Sequence, residues 1–468
     1  MSEIKASNSN SNEFLGTAPI GKLLFKLAVP SIVAQLINML YNLVDRIYIG
    51  HIADIGSLAL TGVGVCLPVI MVVSAFAMLI SMGAAPRSST FMGSGDNEKA
   101  EKTMGNAFVL LSGISIILTI ILLIWNEPIL MLFGASKNTI GYATEYMNIY
   151  CIGTIFVQMA LGMNAFISAQ GFAKVSMISV LIGALLNIVL DPILIFSLNM
   201  GVAGAALATI ISQAVSAFFI IIFLCSKKTI LKLRFRHFAL KAKIVLPCLA
   251  LGLAPFIMQA TESLVALCFN SSLKQYGGDI AVGSMTILSS VMMFAMLPLQ
   301  GLAQGAQPIS SYNFGARNPQ RVKQVFKLLL ICSLIYSTVM YLGVMIFPEG
   351  FAKMFTDNAE LIAFTKVSLR IYMAVSLIFG LQIACQMTFI SIGDAKSSLI
   401  VALIRKIALL IPLIYIVPLL TPDKTMGVFL AEPICDLIAV TFTAFLFAHQ
   451  FRKAMKKLNE PLPIIEQI

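Results

Sequence analysis

Apolar residues in this chain run in blocks of about twenty, the length needed to cross a bilayer core as a helix, separated by short polar or basic stretches. The blocks predict spans near 22–44, 58–82, 104–125, 146–169, 175–198, 203–225, 244–270, 281–304, 325–347, 364–390, 398–420 and 427–449. The number is even, so both ends of the chain are expected on one side of the membrane. Residues before Gly16 are Ser/Asn-rich and polar, without a short apolar core or a small-residue cleavage site, so they read as a tail and not as a signal peptide. The first span itself is expected to direct insertion.

The pattern repeats. Gly83-Ala84-Ala85-Pro86-Arg87-Ser88-Ser89 followed by Gly93 returns as Gly305-Ala306-Gln307-Pro308-Ile309-Ser310-Ser311 followed by Gly315, each closing an apolar span and opening a basic loop. Phe166-Ile167-Ser168 with Ala173-Lys174 returns as Phe389-Ile390-Ser391 with Ala395-Lys396 at nearly the same interval. Six spans lie in each copy, so both copies enter the membrane with the same orientation, a parallel repeat about an axis along the membrane normal. The expected fold is an all-α integral membrane protein of twelve transmembrane helices in two pseudo-symmetric six-helix lobes around a central cleft. Its parts are a tail over 1–19, an N-lobe over 20–225, a basic linker over 226–243, a C-lobe over 244–450 and a second tail over 451–468. The linker reads as long enough to let the lobes rock.

Composition agrees: of 468 residues 59% are hydrophobic and only 11% charged, against about 25% charged in a soluble domain. The net charge of +11 would suit a nucleic-acid partner, but the Lys and Arg are distributed by loop. Their densest cluster is Lys227, Lys228, Lys232, Arg234, Arg236, Lys241 and Lys243, in the linker. The positive-inside rule then places the linker and both termini in the cytoplasm, and nucleic acid is not an expected partner. Eight Cys are scattered without a C-x-x-C pair and read as packing residues, and the three His stand far apart, so no metal centre is expected.

Ionisable groups near mid-membrane cost about 2.5–3.5 kcal/mol on insertion scales, which makes each a functional candidate. On the first span Gln35, Asn38, Asn42 and Asp45 form one polar stripe; on the fifth Asn187 and Asp191 share a face just before Pro192; on the sixth Thr209, Gln213 and Ser216 continue the pattern. Two carboxylates with an amide and a hydroxyl offer hard oxygen ligands for a small cation, or a buried proton site. Asp45 can equally be read as a helix-end residue paired with Arg46 in water, and Asp191 as a helix boundary beside Pro192.

In the second half Glu262 lies in span seven, Glu432 and Asp436 are four apart on span twelve, and Arg405 and Lys406 interrupt span eleven. Pairing of Arg405 with Glu432 and Asp436 across helices is one expectation for that group, while Glu262 is the better candidate for contact with substrate or ion. Among the 25 Met, Met163, Met258, Met292, Met293 and Met296 fall in spans that could line a cavity, though most Met in such proteins simply pack. Gln382 and Gln386, four apart on span ten, are further cavity candidates. Pro30 and Pro255 hold similar places in the two halves and Pro192 ends span five, so each can kink its helix and free carbonyls.

Together these residues resemble the MATE (multidrug and toxic compound extrusion) family, and within it the bacterial MepA-like branch. The carriers are Pro30, Val44-Asp45 and Ile49-Gly50, the two Gly-Ala-x-Pro-x-Ser-Ser segments, Asn187-x-x-x-Asp191-Pro192, and Gly201-Val202-Ala203-Gly204-Ala205-Ala206-Leu207-Ala208-Thr209. The resemblance runs from about Pro19 to His449. It implies a monomeric bacterial inner-membrane antiporter, not an enzyme, that exports lipophilic and often cationic organic compounds by alternating access. It also implies a cation site at Asp45, Asn187, Asp191 and Thr209. The coupling ion is H⁺ or Na⁺, between which the sequence does not choose, and no other cofactor is implied. The expected cavity residues are Gln35, Asn38, Asn42, Met163, Gln213, Glu262, Met292, Met296 and Gln382. Another branch places ion-binding acids in the C-lobe; span ten has no acid inside it here. The alternative function is a flippase for an anionic lipid-linked precursor, which Arg405 and Lys406 would suit and the acids and amides of the first half would not. Small-molecule drugs and membrane lipid are the expected partners.

Overall fold

The structure, a computed structural model, describes residues 13–53 and 55–460. Among the described residues nine helical stretches are long and apolar enough to cross a membrane, and two bent pairs, Ile140–Ile152 with Thr154–Ala169 and Ala359–Tyr372 with Ser376–Ser391, bring the count to eleven. One stretch, Ala242–Gly315, has 74 residues, which as a straight helix would be about 110 Å long against a core of about 30 Å. It turns at Gly278, whose φ of 62° is left-handed and open to glycine at little cost. Both its ends pack at the same end of the molecule, Cys248 against Gly83 and Tyr312 against Gly93, so the stretch crosses twice. Twelve crossings result. The expected boundaries hold to within three residues at both ends for 175–198, 203–225 and 398–420; elsewhere at least one helix end runs further than expected, as in Gly56–Gly93 and Lys424–Asn459.

The spans are 1, Ile20–Gly50; 2, Gly56–Gly93; 3, Asn97–Ile124; 4, the pair bent by 57° at Gly153; 5, Ala173–Ser197; and 6, Gly201–Cys225. In the second half they are 7 and 8, the two arms about Gly278; 9, Pro319–Ile346; 10, the pair bent by 47°; 11, Ala395–Leu420; and 12, Lys424–Asn459. Spans 4 and 10, equivalent in the repeat, are both broken and bent, by 57° and 47°. Spans 5 and 11, also equivalent, each contain a π turn, Ile193–Ser197 and Ile404–Leu410.

The lobes join by exchange: span 1 lies against span 8 and span 2 against span 7. The seam is built on glycine. A Cβ on Gly93 would overlap the Tyr312 carbonyl, and one on Gly315 would overlap the Thr90 carbonyl. These are the same contact seen from each half, because Gly93 and Gly315 stand in the same relation along the repeat as Thr90 and Tyr312. Gly83 meets the Cys248 carbonyl and Gly252 the Leu79 carbonyl, while Gly301 and Gly305 meet the Ile32 and Ala28 backbones. Small residues allow backbones in a membrane to approach this closely, and the packing gained there replaces the hydrophobic drive that lipid removes.

Core packing shows where the seam ends. At the end carrying the linker one apolar cluster spans both lobes, joining Leu27, Ala28 and Ile80 to Cys248, Leu302 and Ile309. At the opposite end the cores separate, one around Ile49, Val63 and Tyr146 and another around Val265, Leu288 and Phe429. The molecule is therefore closed at the linker end and cleft at the other.

The linker and both tails carry structure of their own. The linker 226–243 is not a free tether: Gln170 Oε1 accepts from Thr229 Oγ1 (2.8 Å) and from the backbone N–H groups of Ile230 (2.9 Å) and Leu231 (2.7 Å). Glu101 holds the Lys232 N–H (3.0 Å) and the Arg234 guanidinium (3.2 Å), and Asn106 accepts from the Lys241 N–H (2.8 Å). The first tail is in part a structured wedge. In the short helix Glu13–Thr17 Leu15 is fully buried, and its carbonyl accepts from Asn313 Nδ2 (2.9 Å) and Arg321 Nη2 (3.3 Å) of the C-lobe. The second tail continues span 12 as helix to Asn459. Residues 1–12 and 461–468 of the two tails lie outside the described residues.

Two outcomes follow from this packing. Gly93→Val or Gly315→Val should force the linker-end seam apart, costing about 1–3 kcal/mol by overpacking, read as a lowered unfolding midpoint in detergent and as weaker cross-linking of cysteines placed across the seam. Gln170→Leu removes the acceptor of three bonds worth about 1 kcal/mol each and should increase tryptic cleavage at Lys227, Lys228 and Lys232.

Candidate functional site

Span 1 brings Asp45 into the open half of the N-lobe, where it is buried although Arg46 beside it is exposed. The helix-end reading of Asp45 in water therefore does not hold. On span 5, Asn187 and Asp191 are one helical turn apart and both fully enclosed; Asn187 Nδ2 donates to Asp191 Oδ1 at 3.2 Å. Pro192 and the π turn follow at once, so the helix loses regularity just beyond the acid. The Asp45 and Asp191 carboxylates lie within electrostatic reach of each other. Three buried oxygens, Asp45 Oδ1, Asn187 Oδ1 and Asp191 Oδ2, have no hydrogen-bond partner. Buried acceptors of this kind are costly unless something electropositive meets them. An oxygen-rich set of two carboxylates and an amide is the donor chemistry that Na⁺ or a proton takes.

Around this set stand two tyrosines that the sequence reading passed over. Tyr41 is within hydrogen-bonding reach of Asn42 and Gln213, and Tyr146 within reach of Thr209. Tyr41 had a signal, being four residues before Asp45 on the same stripe; Tyr146, on the bent span 4, had none. Thr209 and Gln213 are half-buried on span 6. The stripe on span 1 divides: Gln35 Nε2 donates to Gln304 Oε1 of the C-lobe at 3.1 Å, bridging the lobes, whereas Asn42 is exposed and donates to the Asn38 carbonyl at 2.6 Å.

In the C-lobe the expected pairing is present. Arg405 directs Nε and Nη2 to Asp436 Oδ1, each at 2.8 Å, and Nη2 lies 3.7 Å from Glu432 Oε1. Lys406 Nζ pairs with Glu262 Oε1 at 2.7 Å. Of these side chains only Glu262 is open, with 47% of its side chain exposed. Its neighbour Ser263 lies 3.8 Å from Met71 Sδ of span 2, so the start of this helix stands beside the N-lobe.

Two cavity assignments are corrected. Met163 is fully buried in the cluster that joins the lobes. Gln382 is also enclosed, within the C-lobe. Its neighbour Gln386 donates to Ser398 Oγ at 2.8 Å, clamping span 10 to span 11, much as Asn164 clamps span 4 to span 5 through Ser176 (3.4 Å). Met292 packs partly against the C-lobe core, and Met296 is half-buried one turn further on.

The geometry is matched by known proteins. The MatE family profile covers residues 30–193 and 255–416, one stretch in each lobe, opening at Pro30 and Pro255. The multidrug export protein MepA of Staphylococcus aureus (strain N315) is 26% identical over 433 residues, 92% of this chain and 94% of that protein. The MepA of Staphylococcus haemolyticus (strain JCSC1435) is 25% identical over 423 residues, 90% of this chain and 92% of that one. Among solved structures, MATE in the bent conformation superposes with a TM-score of 0.90 at 23% identity, covering 96% of this chain and 99% of that one. An outward-facing multidrug resistance MATE family transporter of the MOP superfamily gives 0.88 at 24% identity, with the same coverage. With a family match in both lobes and a shared twelve-helix fold, this chain belongs to the MatE family of multidrug efflux transporters: it is a multi-pass membrane transporter and not an enzyme.

Proposed function

We propose that this protein is an antiporter of a bacterial inner membrane, working as a monomer with both termini cytoplasmic, that exports small lipophilic and often cationic organic compounds against an inward flow of H⁺ or Na⁺. The observation that carries the reading is the enclosed set of Asp45, Asn187 and Asp191 with three unpaired oxygens, set in the half of the N-lobe beside the open cleft. With the basic linker in the cytoplasm, the seam is closed inside and the cleft opens outward, so an external cation reaches these oxygens directly. The relatives named for multidrug export support the class of cargo.

The mechanism follows from the packing. A cation arriving between Asp45 and Asp191 draws span 1 toward span 5 and neutralises their repulsion. Span 1 carries Pro30, which leaves the helix one hydrogen bond short, and the same span holds Gln304 of the other lobe through Gln35. Movement at the acids is thereby transmitted to the cleft wall, where it displaces cargo outward. Thr209 and Gln213, with Tyr146 and Tyr41, fix the far side of the site. Closure of the outer cleft and opening of the glycine seam then expose the cleft to the cytoplasm and inner leaflet. One charge moving inward across 100 mV supplies about 2.3 kcal/mol, roughly a fifty-fold concentration ratio. The flippase alternative is disfavoured because Arg405 and Lys406, the cations an anionic precursor would need, are both engaged by acids at 2.8 and 2.7 Å.

Ethidium efflux from cells or inverted vesicles tests this under separately imposed Na⁺ and H⁺ gradients. Wild type should pump under one gradient, which identifies the ion, while Asp191→Asn and Asp45→Asn should each lose gradient-driven efflux at least tenfold, about 1.4 kcal/mol of coupling. Efflux by Asp191→Asn at the wild-type rate would remove this site from coupling, and no efflux by wild type under either gradient would overturn export of this compound.

A further inference from the structure

The C-lobe holds a second charged assembly that the cation site leaves unused. Arg405 and Lys406 are consecutive, yet both are enclosed, because they lie on the π turn Ile404–Leu410 of span 11. From there Arg405 reaches span 12 and Lys406 reaches span 7. Three carboxylates face these two cations: Glu262, Glu432 and Asp436. The pairing is uneven. Asp436 takes two donors at 2.8 Å and Glu262 takes Lys406 at 2.7 Å, but Glu432 has only the Arg405 contact at 3.7 Å. Lys406 also stands within electrostatic reach of Glu432. Tyr372, the Phe379 ring 5.9 Å from the Arg405 guanidinium, and Cys435, which donates to the Arg405 carbonyl, close the remaining sides. Counted as ionised, the assembly is one positive charge short. Only Glu262 is open, on a helix whose next residue, Ser263, touches span 2 of the other lobe; Lys406, Glu432 and Asp436 are enclosed.

We propose that this assembly is a charge-exchange receptor for organic monocations: a cationic substrate takes Glu262 from Lys406, and Lys406 turns inward to Glu432. Each carboxylate then has its own cation, substrate to Glu262, Lys406 to Glu432 and Arg405 to Asp436. The exchange leaves no unpaired charge in the low-dielectric interior, which would otherwise be costly. Lys406 thus acts as an internal competitor that an uncharged compound does not displace, and Glu432, without touching the substrate, positions the displaced ammonium. The assembly selects cargo by charge, whereas the N-lobe acids take the coupling ion. This inference rests on the reading of the cleft as the cargo path.

The test is equilibrium binding to the full chain in lipid nanodiscs, using ethidium as the permanent monocation and Nile red as the uncharged probe. Glu262→Gln should weaken ethidium about tenfold, and Lys406→Met should tighten it about threefold, with Nile red changed less than about twofold in both. Glu432→Gln should weaken ethidium in the wild-type background and have no effect in the Lys406→Met background, the non-additivity expected when one residue acts only through another. Ethidium binding that is unchanged or weaker in Lys406→Met overturns the exchange, as does an equal effect of Glu432→Gln in both backgrounds. Wild type that binds ethidium with this pattern but never transports it overturns the export reading and leaves the receptor standing; wild type that binds neither probe overturns both.

Discussion

The close approach of four helix backbones at the linker end is the contact on which the rest of the molecule depends. Lipid gives two apolar lobes no reason to adhere, so adhesion has to come from packing. Glycines at 83, 93, 252, 301, 305 and 315 let spans 1, 2, 7 and 8 meet backbone to backbone. Because Gly93 on Tyr312 and Gly315 on Thr90 are one contact repeated by the pseudo-symmetry, a single geometry serves both halves. The seam is confined to one end, so the other is free to be a cleft. The seam is short and reciprocal, with the Gln35–Gln304 hydrogen bond beside its close backbone contacts.

The docked linker and the N-terminal wedge extend this arrangement. Gln170, Glu101 and Asn106 fasten the linker to the N-lobe, leaving little slack between span 6 and span 7. Leu15 sits with the N-lobe core while its carbonyl is held by Asn313 and Arg321 of the C-lobe. Any relative movement of the lobes would have to work against these attachments, and the bends at spans 4 and 10 together with the π turns of spans 5 and 11 are where helix regularity already yields.

The two lobes, alike in backbone, have diverged in charge. In the N-lobe acids gather with amides, hydroxyls and tyrosines and leave oxygens unpaired, an arrangement that suits a small cation or a proton. In the C-lobe three acids face an arginine and a lysine on a π turn, in ion pairs of uneven closeness. One backbone plan thus carries two differently charged assemblies, one in each lobe.

Much of this was legible in the chain itself. A run of about twenty apolar residues has one stable form in lipid, a helix, so the twelve spans and their even count follow from hydropathy. The repeated Gly-Ala-x-Pro-x-Ser-Ser segments carry the two-lobe plan, and the intervals within 35–45 and between 187 and 191 place Asp45, Asn187 and Asp191 on helical faces that lipid cannot accept. Contacts between helices far apart in sequence were decided only by the tertiary structure, since periodicity within a helix says which residues share a face but not what that face meets. It took the packing to bury Met163 and Gln382, to add Tyr146 from a bent helix, to dock the linker, and to give Lys406 to Glu262 while leaving Glu432 with a distant partner. Those outcomes depend on bend angles, a π turn and how closely the helix backbones approach, which no one-dimensional pattern encodes.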